Sequence, residues 1–316
     1  MATYLVTGGA GFIGSNIVEE LLARGQRVRI LDNLSTGREV NIAHLTNKVE
    51  LFRGDIRDAE LVDEAVRGAD YVLHQAALAS VPRSIANPIA SSEVNIQGTL
   101  NLLQAAHKHG VKRFVAASSS SVYGDSVQLP KVETMPTNPK SPYAVTKLTL
   151  ELYMRVFSEI HGLTTVALRY FNVFGPKQDP NSQYSAVIPL FVKGLIQGKP
   201  PTINGDGEQS RDFTYITNVI QANLKACEAN ISGFNVFNVA CGGRYTLNHL
   251  YNTLAAAIGS DLRPVYGPDR VGDVKHSMAD IEAITKALDY RPEVTFEEGI
   301  AKTVAWYKAA GPSALE

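Results

Sequence analysis

Short β-rich runs alternate with amphipathic stretches through the first half of this chain. Apolar, β-branched and aromatic residues cluster at 4–7, 28–31, 49–53, 71–74, 114–117 and 165–169. Between these runs, apolar residues recur with helical spacing over 13–23, 61–66, 94–107 and 143–160. Nearly all-apolar strands separated by helices predict an α/β protein whose parallel sheet is covered on both faces. After Gly175 the pattern changes. A Pro/Gly/Asn-rich passage over 176–181 precedes a helix predicted at 187–196 and the turn Asn204-Gly205-Asp206-Gly207. A helix at 216–229, a strand at 234–239 and a mostly helical stretch from Tyr245 onward complete the pattern. The layout expected is a large domain over 1–175 with returning segments near 211–240. A smaller domain is expected over 176–210 and 241–316.

Composition narrows the class. The 316 residues are 45% hydrophobic, enough for a sizeable core, and the formal net charge of −1 gives no basic field for nucleic acid. The two cysteines, Cys227 and Cys241, have no metal-type spacing and suit free thiols in a reducing cytosol. No basic and apolar leader precedes Thr3, and no apolar run approaches the roughly 20 residues that span a bilayer. A cytoplasmic protein without membrane or nucleic-acid partners is therefore expected. His107 and His109 precede Gly110 at a predicted helix end. Two histidines there could form a metal pair, but they also suit the negative end of the helix dipole, and no metal is expected.

Two local patterns carry candidate chemistry. Gly9-x-Gly11-x-x-Gly14, with Gly8 beside it, follows the first strand and opens the first helix, where glycines let backbone N–H groups approach a pyrophosphate. Asp32 ends the second strand at the distance expected for a carboxylate that accepts a ribose hydroxyl. It would repel a 2′-phosphate, which favours NAD over NADP. Asp55, after the third strand, could reach the adenine edge; loop capping is the alternative reading for both carboxylates. The second pattern is Tyr143-x-x-x-Lys147 at the start of a predicted helix, which places phenol and ammonium on one face. An adjacent cation would favour the phenolate of a group that ordinarily titrates near ~10. Taken alone, a surface helix carrying a Tyr and a Lys would look the same.

With these patterns assembled, the chain resembles the extended short-chain dehydrogenase/reductases, and within them the UDP-hexose 4-epimerases. The resemblance runs over essentially the whole length. It rests on Asp32-Asn33-Leu34-Ser35-Thr36-Gly37, Gln75-Ala76-Ala77, Val94-Asn95-Ile96-Gln97-Gly98-Thr99 and Ser118-Ser119-Ser120-Ser121-Val122-Tyr123-Gly124. Arg169-Tyr170-Phe171-Asn172-Val173-Phe174-Gly175 and Ser210-Arg211-Asp212-Phe213 extend it. It implies a Rossmann-type doubly wound parallel sheet of about seven strands with a smaller C-terminal α/β substrate domain. It also implies bound NAD, a UDP-sugar substrate, and a homodimer formed through paired helices that include 94–107 and 143–160. The cofactor contacts implied are Gly8, Gly11, Phe12, Ile13 and Gly14, then Asp32, Asn33, Ser35, Thr36 and Gly37. Asp55, Ile56, Gln75, Ala76, Ala77, Asn95, Tyr143, Lys147 and Tyr170 follow.

The catalytic set implied is Ser119, Tyr143 and Lys147. In related dehydratases the two positions after the catalytic Ser/Thr are usually Asp and Glu. Here they are Ser120 and Ser121, which removes the acid/base group that elimination needs and argues for epimerisation. On the substrate side the resemblance implies Ser80, Ser120, Ser121, Asn172, Ala186, Val187, Ile203, Asn204, Arg211, Arg270, Asp273 and Ser277. Ser277 stands where family members restricted to UDP-glucose and UDP-galactose commonly have Tyr. A small residue there leaves room for an N-acetyl group, so N-acetylated and plain UDP-hexoses are both expected substrates. A turn cap is the plainer reading of Ser277. UDP-glucuronate 4-epimerisation, net sugar-nucleotide oxidation and a non-catalytic NAD sensor are the alternatives.

Overall fold

The computed structural model describes residues 1–181, 186–268 and 275–311. Six strands, β1 (Thr3–Thr7), β2 (Arg27–Asp32), β3 (Glu50–Arg53), β4 (Tyr71–His74), β5 (Arg113–Ser119) and β6 (Thr165–Tyr170), join the later strand Phe234–Val239 in one sheet. Its order is Phe234–Val239, β6, β5, β4, β1, β2, β3, and every pairing is parallel. The seven-stranded Rossmann-type sheet implied by the sequence is therefore present. Side chains alternate between two cores: Tyr4 and Val6 face one, with Ile17 and Val219, while Leu5 faces the other, with Val62, Leu102 and Met154. Burial on both faces explains why the strands read as almost unbroken apolar runs.

Strand order reverses between β1 and β4, so a crevice opens at their carboxyl ends, where ligands of such sheets bind. His74 braces its floor. Its Nδ1 lies 2.8 Å from Thr7 Oγ1 and its Nε2 lies 3.0 Å from Thr99 Oγ1, whose hydroxyl donates to the Asn95 carbonyl at 2.6 Å. Thr99 must therefore accept from Nε2–H, which leaves Nδ1 to accept from Thr7. Burial, with Lys147 nearby, pushes His74 down to about 3 and keeps it neutral.

Several elements differ from the expectation. The helix expected over 94–107 is a π-helical turn, Glu93–Gln97, running into the helix Gly98–Lys108. Two short helices, Val81–Ala86 and Pro88–Ser92, each open with a proline in their first turn and were not expected. Strands Thr202–Asn204 and Val265–Gly267 pair in parallel although the sequence marks the first only as the lead into a turn. Downstream of Tyr245 the helices Leu247–Ile258, Glu282–Leu288 and Phe296–Ala310 dominate. No helix among the described residues is long and apolar enough to cross a membrane. His107 stacks on His161 and His109 pairs with Asp63, so the two histidines serve different neighbours.

Candidate active site

The glycine turn forms because larger residues would not fit. Gly8 has φ of +68°, and a Cβ there would lie 2.7 Å from the Ala76 nitrogen; at Gly14 it would lie 2.1 Å from the Gly8 carbonyl oxygen. Gly11 begins the helix Phe12–Ala23 without a side-chain cap, leaving the first-turn N–H groups of Phe12, Ile13 and Gly14 to an outside acceptor. This is a cradle for an anionic group at a helix N-terminus. Asp32 is buried beside it, accepting from Ala10 N at 2.9 Å and Leu34 N at 2.8 Å. Those bonds fold the loop carrying Asn33, Ser35, Thr36 and Gly37 over the glycine turn. Asp55 accepts from Asn33, and the Arg57 guanidinium holds its carboxyl down at about 2. Capping is thus a role that both carboxylates fill: each Asp32 oxygen takes one donor, whereas each Asp55 oxygen already takes two.

Further along the crevice, Ile56 is buried against Gly98. Gln75 follows β4, just before Ala76 and Ala77, and accepts from the Tyr170 hydroxyl at 3.1 Å. The Tyr170 hydroxyl in turn accepts from Asn223 at 2.8 Å. Asn95 is fully committed inside the protein: it accepts from Leu78 N at 2.8 Å and donates to Thr146 Oγ1 at 3.0 Å.

The helix Pro142–His161 delivers the catalytic candidates. Ser141 caps it, Pro142 occupies its first turn, and Ser84 accepts the Tyr143 N–H at 3.0 Å. The first turn is therefore fixed from two sides. Ser119 lies beside the Tyr143 hydroxyl and favours its phenolate, which brings together two of the three residues implied by the sequence. Lys147 is buried, donates to the Ala117 carbonyl at 2.7 Å, and has its Nζ 5.9 Å from the Tyr143 ring centroid. The expected lowering of the phenol by Lys147 is not found. Desolvation pushes Tyr143 up to about 12 against the pull of the neighbouring Ser119, and burial takes Lys147 down to about 8. Burial removes water from both charged forms, and the ammonium spends its donor on a carbonyl instead.

Ser120 and Ser121 form the turn Ser120–Tyr123 immediately after Ser119. The Ser121 N–H donates to Ser119 Oγ at 3.1 Å, and Ser121 Oγ is buried with no protein partner among the described residues. Ser80 caps the helix Val81–Ala86 through the Arg83 N–H.

Beyond the crevice lies a cavity of about 690 Å³ lined by Asn172, Ala186, Val187, Asn204 and Arg211. Five of the implied substrate residues thus share one wall system of a size that suits a small-molecule ligand. Lys193, Lys199 and Gln209 line it too, without any local motif to mark them. Ile203 does not line it: its side chain is buried in the core, and alternation along Thr202–Asn204 turns the two flanking residues toward the cavity instead. Arg270 and Asp273 lie outside the described residues. Ser277 is placed by backbone pairing, its N–H donating to the Ser210 carbonyl at 3.0 Å, which zips its segment alongside Arg211. Asp212, not singled out from the sequence, locks this joint. Its carboxylate accepts from the N–H groups of Cys241, Gly242 and Ala279, at 3.1, 3.1 and 3.2 Å, and desolvation still pushes it up to about 6.

Residues 4–240 match the family model described as the NAD dependent epimerase/dehydratase family. This chain belongs to that family. It is similar, at 41% identity and a TM-score of 0.94, to the UDP-N-acetylglucosamine 4-epimerase of Methanobrevibacter ruminantium in complex with UDP-N-acetylmuramic acid. That likeness covers 98% of this chain and 99% of the other. The UDP-glucose 4-epimerase of Thermus thermophilus, solved with NAD, is 39% identical with a TM-score of 0.89, over 98% and 100% of the two chains. The UDP-glucose 4-epimerase of Mycolicibacterium smegmatis is 37% identical over 96% of this chain and 98% of its own length. Dehydratases and decarboxylases of nucleotide sugars are also similar, at 30 to 34% identity. Family membership makes NAD the cofactor, and the glycine cradle with its uncapped helix N-terminus fits the pyrophosphate of such a group.

Proposed function

We propose that this protein is a UDP-hexose 4-epimerase that interconverts UDP-N-acetylglucosamine and UDP-N-acetylgalactosamine, and also UDP-glucose and UDP-galactose. The observation that carries the reading is the turn Ser119-Ser120-Ser121 beside Tyr143, which holds hydroxyls where elimination would require carboxylates. When bound, NAD supplies reversible hydride acceptance at C4, giving a 4-keto sugar that can be reduced on either face. Tyr143 takes the proton from the 4-hydroxyl and later returns it, and Ser119 holds that hydroxyl in line. Lys147 places a positive charge beneath the cofactor ribose. Gly8, Gly11, Phe12, Ile13 and Gly14 cradle the pyrophosphate, and Asp32 takes the adenosine ribose. Asn172, Ala186, Val187, Asn204 and Arg211 hold the uridine diphosphate.

The returning segments 211–240 belong with 1–175 to the cofactor half in this reading, and 176–210 with 241–316 form the nucleotide-sugar half. The decisive experiment is to mix the purified protein with each UDP-sugar and resolve the products by NMR while following nicotinamide absorbance. Interconversion of C4 epimers without accumulating NADH is expected. A dehydrated product, or NADH formed in step with sugar oxidation, overturns the reading in favour of a dehydratase or an oxidoreductase.

A homodimer is part of the proposal. Val145, Leu152, Val156 and Ile160 are exposed along one side of Pro142–His161, opposite the stripe that carries Tyr143 and Lys147. Sedimentation should give twice the chain mass, and Val156→Glu with Ile160→Glu should return a monomer. A monomeric parent protein at micromolar concentration removes the assignment.

A further inference from the structure

The stripe on Pro142–His161 does not end at Lys147. One more turn along stands Glu151, buried like Lys147, so Tyr143, Lys147 and Glu151 follow one another at i, i+4 and i+8. Each meets one of three consecutive residues at the end of β5. Tyr143 stands beside Ser119, Lys147 donates to the Ala117 carbonyl, and Glu151 Oε1 accepts from Ser118 Oγ at 2.5 Å. Glu151 is held from the far side by β6, where Arg169 donates Nε to Oε1 at 2.9 Å and its terminal nitrogen to Oε2 at 2.7 Å. This is a bidentate ion pair with both side chains 5% exposed.

The pair lies in a polar row that crosses the sheet at one register position, Ser118 opposite Arg169 and Arg169 opposite Asn238. Arg169 also donates to the Tyr123 hydroxyl at 2.9 Å, which donates to Asn238 Oδ1 at 2.6 Å. Asn238 Nδ2 in turn donates to the Lys131 carbonyl at 2.9 Å. Lys131 is bridged to the segment after Ser277, its N–H donating to the Met278 carbonyl at 2.8 Å.

We propose that Glu151, clamped by Arg169, is a positioning residue of the reaction. It fixes the Ala117–Ser119 strand end against the catalytic face and keeps the buried Lys147 ammonium charged. The inference rests on the reading that Tyr143 and Lys147 are the working pair. Around Lys147 the charged and titratable groups are Tyr143 and Glu151 on its own helix, neutral His74 from β4 and, beyond Glu151, Arg169 from β6. Glu151 alone among them favours the ammonium, and it opposes the desolvation that lowers Lys147. A purely structural ion pair would hold the sheet together and leave Lys147 indifferent to its removal.

The test reads Lys147 directly. Lysine side-chain NMR of the NAD-loaded protein, assigned through Lys147→Arg, gives its titration without any sugar present, so the outcome stands whether or not UDP-sugars are epimerised. Glu151→Gln should move the Lys147 midpoint down by about one pH unit or more, since an opposite charge at close range shifts a pKa by roughly 1–3 units. The alkaline limb of the turnover profile should move the same way. Because the single change leaves the Arg169 charge buried and unpaired, the folded reference is the double variant Glu151→Gln with Arg169→Met, which removes both charges. Its Lys147 should remain shifted downward although the fold is restored. An unaltered Lys147 titration in the folded double variant overturns the proposal and leaves the pair a structural one.

Discussion

Tyr143→Phe is expected to lower turnover of every UDP-sugar substrate by roughly 10²–10⁴-fold, the contribution of a positioned general base, with fold and NAD content unchanged. The structure gives the reason for both halves of that result. Ser119 lies beside the Tyr143 hydroxyl, while the first turn of its helix is set by Ser141 and by the bond from the Tyr143 N–H to Ser84, which Phe retains. The variant therefore loses an acid/base group without losing its place. Burial pushes the phenol up to about 12 in the chain alone, so the positive charge of the nicotinamide of bound NAD would favour the working phenolate, and Lys147 would support the site as a buried cation. Steady-state rates by NMR, with bound NAD counted after denaturation, check the prediction. Near-normal epimerisation by Tyr143→Phe would sink the assignment of the base.

How far the site could be read from the sequence depended on how local each feature is. The glycine turn and the Tyr143/Lys147 face are set within a few residues by backbone sterics and helical spacing, and both stand where the sequence places them. The helix Val187–Ile196 and the strand Phe234–Val239 likewise occupy the expected positions. What was not legible depends on distant partners. The Asp212 clasp gathers N–H groups from residues 29 to 67 positions away, and Glu151 reads as a solvated helix residue until β6 brings Arg169 against it. Spacing told that Lys147 would lie near Tyr143, but not that its ammonium would turn to the Ala117 carbonyl, so the direction of the phenol shift was misread. Ile203 shows the same dependence on a distant partner. Its strand forms only by pairing with Val265–Gly267, and that pairing decides which side chains face the cavity.

If the proposed role of Ser277 holds, Ser277→Tyr should convert a broad enzyme into a narrow one. Its backbone is held by the Ser210 carbonyl, in a ladder that also carries Arg211, so a new side chain cannot swing away by moving the strand without disturbing Arg211. Two residues on, Ala279 donates to Asp212 and is bridged to Lys131, which anchors the segment from the other end. Under the proposed reading, a ring introduced between those anchors would occupy the space that an N-acetyl group on C2 takes. Overpacking of that kind costs roughly 1–3 kcal/mol, or about five- to 150-fold in affinity. The expected result is a loss of that size in kcat/KM for UDP-N-acetylglucosamine and UDP-N-acetylgalactosamine, with UDP-glucose and UDP-galactose little changed. Melting temperature separates this from misfolding, because the Asp212 clasp does not involve the Ser277 side chain. Equal losses on both sugar pairs, or none on either, would show that Ser277 only ends a turn and that the gate for the acetyl group lies elsewhere in the cavity.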